Sequence, residues 1–122
     1  MDWLAGNDAC ERYQACMVLG GVGDAIGYRN GKWEFCFDGE KIHAAARELG
    51  GIDKLTVKGL KVSDDTVMHL ATAEAIGTIF PHPETHDLSL FYQELATQYV
   101  LCFEDMGGRA PGGTTRVGVD RL

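Results

Sequence analysis

Apolar and small side chains recur at helical spacing along most of the chain, and nowhere do they alternate as a half-buried strand requires. The first such stretch covers residues 10–28, with Tyr13, Met17 and Ala25 near one face. Gly20, Gly21, Gly23 and Gly27 loosen it, because glycine inside a helix loses backbone entropy and offers no side chain to pack. A helix end or a close backbone approach is therefore expected near Asp24. The second stretch, residues 39–49, places Ile42, Ala45, Ala46 and Leu49 on one face, and Gly50-Gly51 stops it. A third begins at Ser63-Asp64-Asp65-Thr66 and runs through Ala75, with Val67, Leu70, Ala71 and Glu74 at helical spacing and Gly77 just past its end. The fourth starts near Asp87, and Leu88, Phe91, Tyr92, Leu95, Tyr99, Cys102 and Met106 form its apolar stripe. Pro81 and Pro83 punctuate the loop before it, and residues 107–113 read as a glycine-rich loop around Pro111. The expected fold class is all-α.

At 122 residues, of which 45% are hydrophobic, the chain suits one domain with an ordinary core. Lys plus Arg is 11 against 18 Asp plus Glu, a net charge of −7. That balance excludes binding that works by neutralising many nucleic-acid phosphates, and equally a polybasic membrane-facing surface. It leaves room for an acidic site that recruits a divalent cation. No apolar run approaches the roughly 20 residues that span a bilayer, and the opening Met-Asp-Trp-Leu-Ala-Gly-Asn-Asp lacks the basic-then-apolar form of a secretory leader. Cys10, Cys16, Cys36 and Cys102 form no CxxC pair and no zinc spacing with His43, His69, His82 or His86. Reduced thiols in a cytoplasmic protein are the expectation.

The chemistry-bearing cluster is Ser63-Asp64-Asp65-Thr66. Neighbours inside a helix point about 100° apart and cannot share a ligand, but at a helix start the N-cap residue is not helical. The Ser63 hydroxyl and two carboxylates can then converge. Oxygen donors alone suit a hard cation such as magnesium or manganese. The competing reading is ordinary capping, with acidic residues placed against the helix dipole. Capping uses one side-chain oxygen and accounts less well for the second aspartate. Asp24, between glycines, reads as a turn or cap residue. Glu34 lies between Trp33 and Phe35, either as a loop carboxylate or as a gate or outer metal ligand. Gly112-Gly113 could present backbone N–H groups to a phosphate. His43 and His69 fall inside helical patterns and read as structural.

Taken together, Met17-Val18-Leu19, Gly23-Asp24-Ala25-Ile26-Gly27-Tyr28, Asn30-Gly31-Lys32-Trp33-Glu34-Phe35, Asp38-Gly39-Glu40-Lys41-Ile42-His43, the run from Val62 through Ser63-Asp64-Asp65-Thr66 to Ala75, Glu104-Asp105-Met106 and Gly108-Arg109-Ala110-Pro111-Gly112-Gly113 resemble the ADP-ribosylglycohydrolase family. Within it they resemble the ADP-ribosylarginine hydrolases. The likeness covers about residues 11–113. GDAxG followed by SDDT marks the wider family, while NGKWEF and GRAPGG point to the arginine-specific branch and away from hydrolases acting on modified serine.

The resemblance implies an all-helical bundle around a cleft with two magnesium ions. It makes Ser63, Asp64 and Asp65 metal ligands, with Asp64 or Asp65 as the catalytic base. It puts Glu34 on a mobile loop over the metals and Gly112 and Gly113 in a loop lining the diphosphate of ADP-ribose. The implied reaction is hydrolysis of the N-glycosidic bond to an arginine guanidinium on ADP-ribosylated proteins. No nucleic-acid or membrane partner is expected, and the full-length form is expected to be a monomer. The family's catalytic domain is longer and carries a second aspartate-rich cluster, which nothing after Gly113 resembles. The expectation is that residues 1–113 are the N-terminal part of that domain, that residues 114–122 are a divergent tail, and that the metal site is incomplete. A non-catalytic family member acting as a binding or scaffold protein is the alternative, opposed by the two intact aspartates.

Overall fold

A computed structural model describes residues 7–80 and 87–122. The expected punctuation by Pro81 and Pro83 lies outside the described residues. Those described form α1 (Asn7–Tyr28), α2 (Gly39–Glu48), α3 (Asp64–Ile79), α4 (Leu88–Cys102) and α5 (Gly113–Val119), with short 3-10 turns at Arg29–Gly31, Ile52–Lys54 and Phe103–Asp105. No strand occurs among them. The all-α expectation holds. Among the described residues no helix is long and apolar enough to cross a membrane.

The chain divides into two compact units, Met1–Val62 and Ser63–Leu122. In the first, α1 runs without a break through Asp24 to Tyr28, so the expected helix end near Asp24 is corrected. A Cβ on Gly20, Gly23 or Gly27 would meet nothing within 4 Å, so these glycines permit no close backbone approach among the described residues. Asp24 is a helical residue, neither turn nor cap. Helix α2 starts where Asp38 accepts a hydrogen bond from the Lys41 amide at 3.2 Å. It stops as expected: Gly50 and Gly51 take φ of 95° and 97°, and the Gly51 amide reaches back to the Ala46 carbonyl at 2.9 Å.

In the second unit α3 packs against α4. Thr72 Oγ1 and Tyr99 Oη lie 2.9 Å apart, Cys102 Sγ is 3.6 Å from Met68 Sδ, and the Phe80 and Phe91 rings stand 5.2 Å apart at 47°. Ala71 and Ala75 are buried, and such small side chains on α3 allow a close helix approach. Helix α3 continues through Gly77 to Ile79 rather than ending before it, closed by the Phe80 amide on the Ile76 carbonyl at 2.9 Å. Asp87 caps α4 through the Ser89 and Leu90 amides, at 2.8 and 3.3 Å. Of the apolar stripe on α4, Phe91, Leu95, Tyr99 and Cys102 are half-buried and Met106 is buried, whereas Leu88 and Tyr92 are exposed. Helix α5 was not visible as a separate periodicity. It is seven residues long and includes two glycines, too short for a pattern to emerge.

Candidate functional site

Ser63 is the N-cap of α3, with extended backbone and a side chain that accepts a hydrogen bond from the Asp65 amide at 3.2 Å. Its residue is 3% exposed. Asp64 and Asp65 occupy the first helical turn, where the positive end of the helix dipole favours carboxylates. Asp64 is half-buried and Asp65 exposed. The capping role is thus realised through the Ser63 hydroxyl.

The Asp64 amide donates to the Arg109 carbonyl at 3.3 Å, which ties the start of α3 to the loop before α5. That loop is itself braced. Arg109 Nε donates to the Asp105 carbonyl at 2.7 Å, Arg109 Nη2 meets Asp105 Oδ2 at 2.6 Å, and the Arg109 amide bonds the Met106 carbonyl at 3.2 Å. Ala110 sits in the left-handed region at φ 61°, Pro111 is buried, and Arg116 Nε donates to the Pro111 carbonyl at 3.0 Å. Gly112 is the N-cap of α5 and Gly113 its first residue; both are exposed. Ser63, Asp64, Asp65, Gly112 and Gly113 therefore belong to one unit, their two segments joined at Arg109. Glu34 belongs to the other unit, exposed on the loop between the first 3-10 turn and α2.

The donor set fits a hard cation in part. Two carboxylates and a hydroxyl supply oxygen only, and magnesium readily keeps waters in its remaining positions. Among the described residues no group of three or more His, Cys, Asp or Glu side chains converges as a metal cage. His43 and His69 are exposed on α2 and α3. All four cysteines are free thiols. Burial pushes the Cys102 thiol above its ordinary pKa, and the Glu74 carboxylate adds to the shift.

The Arg109 brace has no signature in the hydrophobic pattern, since an arginine four residues after an aspartate in a glycine-rich loop gives no periodicity; its only signal is the family-like run Glu104-Asp105-Met106 and Gly108-Arg109-Ala110-Pro111-Gly112-Gly113.

Comparison with known proteins gives a consistent result. A family profile described as ADP-ribosylglycohydrolase matches residues 5–122. The chain is 42% identical over 104 residues to ADP-ribosylhydrolase ARH1 of Dictyostelium discoideum, a match that covers 84% of this chain and 26% of the relative. It is 30% identical over 105 residues to a candidate ADP-ribosyl glycohydrolase of Acanthamoeba polyphaga mimivirus, covering 80% of this chain and 20% of that protein. The chain thus spans about a quarter and a fifth of the lengths of these relatives.

Proposed function

The chain belongs to the ADP-ribosylglycohydrolase family, and from that membership we propose that it supplies part of a magnesium-dependent hydrolase that removes ADP-ribose from arginine on modified proteins. The observation that carries this reading is the start of α3, where Ser63, Asp64 and Asp65 offer only oxygen donors and are joined through Arg109 to the Gly112-Gly113 loop. Arginine as the modified residue is supported by the runs Asn30-Gly31-Lys32-Trp33-Glu34-Phe35 and Gly108-Arg109-Ala110-Pro111-Gly112-Gly113.

In this reading Ser63, Asp64 and Asp65 hold one face of the metal site. Magnesium, when bound, lowers the pKa of a water and fixes the ribose hydroxyls. The carboxylate of Asp64 or Asp65 takes the proton of the attacking water as the ribose carbon gains oxocarbenium character. Glu34 contacts the substrate from its exposed loop, and Gly112 and Gly113 place backbone beside the diphosphate, where no side chain intervenes.

The test is release of ADP-ribose from an arginine-modified protein by a full-length hydrolase carrying residues 5–122 in its N-terminal part. Asp64→Asn and Asp65→Asn each keep side-chain shape and remove a charged ligand, so both should abolish turnover while helix content stays unchanged. Parent-level turnover in both variants would reject the metal assignment.

A further inference from the structure

The loop that carries Glu34 is ordered by one side chain that lies outside every role assigned above. Arg29, Asn30 and Gly31 are consecutive left-handed residues, at φ 46°, 54° and 82°. Asparagine is among the few side-chain-bearing residues that adopt this conformation readily. Its amide spans a gap of some thirty positions in the chain: Asn30 Nδ2 donates to the Gly59 carbonyl at 3.2 Å, and Asn30 Oδ1 accepts from the Lys61 amide at 2.8 Å. Both partners lie in the same compact unit as Asn30. Using donor and acceptor together on two backbone groups fixes the amide's orientation as well as its position.

From this anchor the chain makes two short turns. The Lys32 amide bonds the Arg29 carbonyl at 3.1 Å, and the Cys36 amide bonds the Trp33 carbonyl at 3.0 Å, with Glu34 between the ends of the second turn. The Arg29 guanidinium stacks over the Trp33 ring, 4.8 Å from its centroid. The Phe35 ring lies 3.5 Å from where a Cβ on Gly31 would stand. Lys32 and Trp33 are thereby held by contacts that begin at Arg29, and the Phe35 ring lies beside Gly31.

We propose that Asn30 is a positioning residue, whose two hydrogen bonds to Gly59 and Lys61 clamp the Arg29-to-Cys36 loop and so fix where Glu34 is presented. The clamp itself stands on the geometry; that Glu34 is presented to a substrate rests on the proposed hydrolase function.

The side chain's role can be separated from that of the backbone. Asn30→Gly keeps the left-handed conformation and removes both hydrogen bonds. Asn30→Asp keeps an oxygen to accept from the Lys61 amide and loses the donor to Gly59. The experiment uses the 122-residue chain in a Trp3→Phe background, which leaves Trp33 as its one tryptophan. Amide exchange at Lys61 and acrylamide quenching of Trp33 are read alongside helical circular dichroism. In Asn30→Gly the Lys61 amide should exchange about fivefold faster, the equivalent of one ordinary hydrogen bond. Trp33 quenching should rise while the helical signal is unchanged. Asn30→Asp should restore Lys61 protection to within about twofold of the parent, with Trp33 quenching between the other two. Parent-like exchange and quenching in Asn30→Gly would overturn the proposal. So would a loss of helical signal, which would make Asn30 a general stability residue, or equal effects in both variants. Loss of the hydrolase reading would be seen separately, as magnesium binding indifferent to Asp64→Asn and Asp65→Asn with the loop readouts intact.

Discussion

Replacing Ser63 by alanine probes the point where capping and the proposed metal site share an atom. The hydroxyl accepts from the Asp65 amide at 3.2 Å, and the serine is 3% exposed. Loss of such a cap costs about 1 kcal/mol. The larger figure of roughly 3 kcal/mol for a sealed, unsatisfied donor is an upper bound here, because the bond is only part-buried. For a chain of this size about 1 kcal/mol lowers the melting temperature by roughly 3–6 °C. Ser63→Gly removes the same oxygen but costs only a few tenths of a kcal/mol, since glycine is itself a tolerated N-cap. Thermal melts followed by circular dichroism should therefore rank parent, Ser63→Gly and Ser63→Ala in that order. Magnesium affinity should fall in both variants, because both lack the proposed ligand oxygen. An alanine variant that melts within 1 °C of the parent would refute the capping argument. A glycine variant as unstable as the alanine one would assign the cost to packing instead.

Tyr99→Phe removes the 2.9 Å contact with Thr72 across the α3–α4 interface and should cost about 1 kcal/mol in denaturant melts, with the slope unchanged. Cys102, whose thiol is held protonated by burial and by Glu74, should alkylate more slowly at mildly alkaline pH than exposed Cys10 and Cys16, as read by mass spectrometry of labelled peptides. Its folded pKa lies above the unfolded one, so the unfolded chain loses this proton first; its contribution to stability is full below the ordinary thiol pKa and is lost as pH rises through the folded value. Cys102→Ala should flatten that alkaline decline. On the proposed two-magnesium reading, the 122-residue chain alone should release no ADP-ribose from a modified arginine, since Asp64 and Asp65 by themselves would not offset the four positive charges of two such ions; turnover matching a full-length relative would contradict this.

Helices α2, α3 and α4 were legible because their starts, and the stop of α2, are written in local chemistry. Asp38, Ser63 and Asp87 each cap a helix through a side-chain oxygen, the Ser63 cap being the one expected from residue type, and Gly50-Gly51 ends α2 in the left-handed region. The glycines of α1 misled because glycine permits a break without requiring one: the helix is continuous, with open space at Gly20, Gly23 and Gly27. At the site, the cap at Ser63 followed from residue type alone. The brace from Asp105 through Arg109 to Asp64 did not, because it joins segments some forty residues apart through a backbone carbonyl, which carries no side-chain signature. The Asn30 clamp left a partial trace. An Asn-Gly pair is a turn signal, but its partners at Gly59 and Lys61 are set by tertiary structure.

The most direct measurement is a calorimetric titration of the purified 122-residue chain with magnesium chloride, run beside Asp64→Asn and Asp65→Asn. The parent should show weak, saturable binding of a single ion, because two carboxylates and a hydroxyl leave the remaining coordination positions to water. Manganese should reproduce it, and zinc should not bind at the same residues, lacking thiolate or imidazole partners there. The heat should vanish in either asparagine variant while the helical signal is retained. A parent chain without saturable magnesium binding, or variants that bind as the parent does, would contradict the assignment of Ser63, Asp64 and Asp65 as metal ligands.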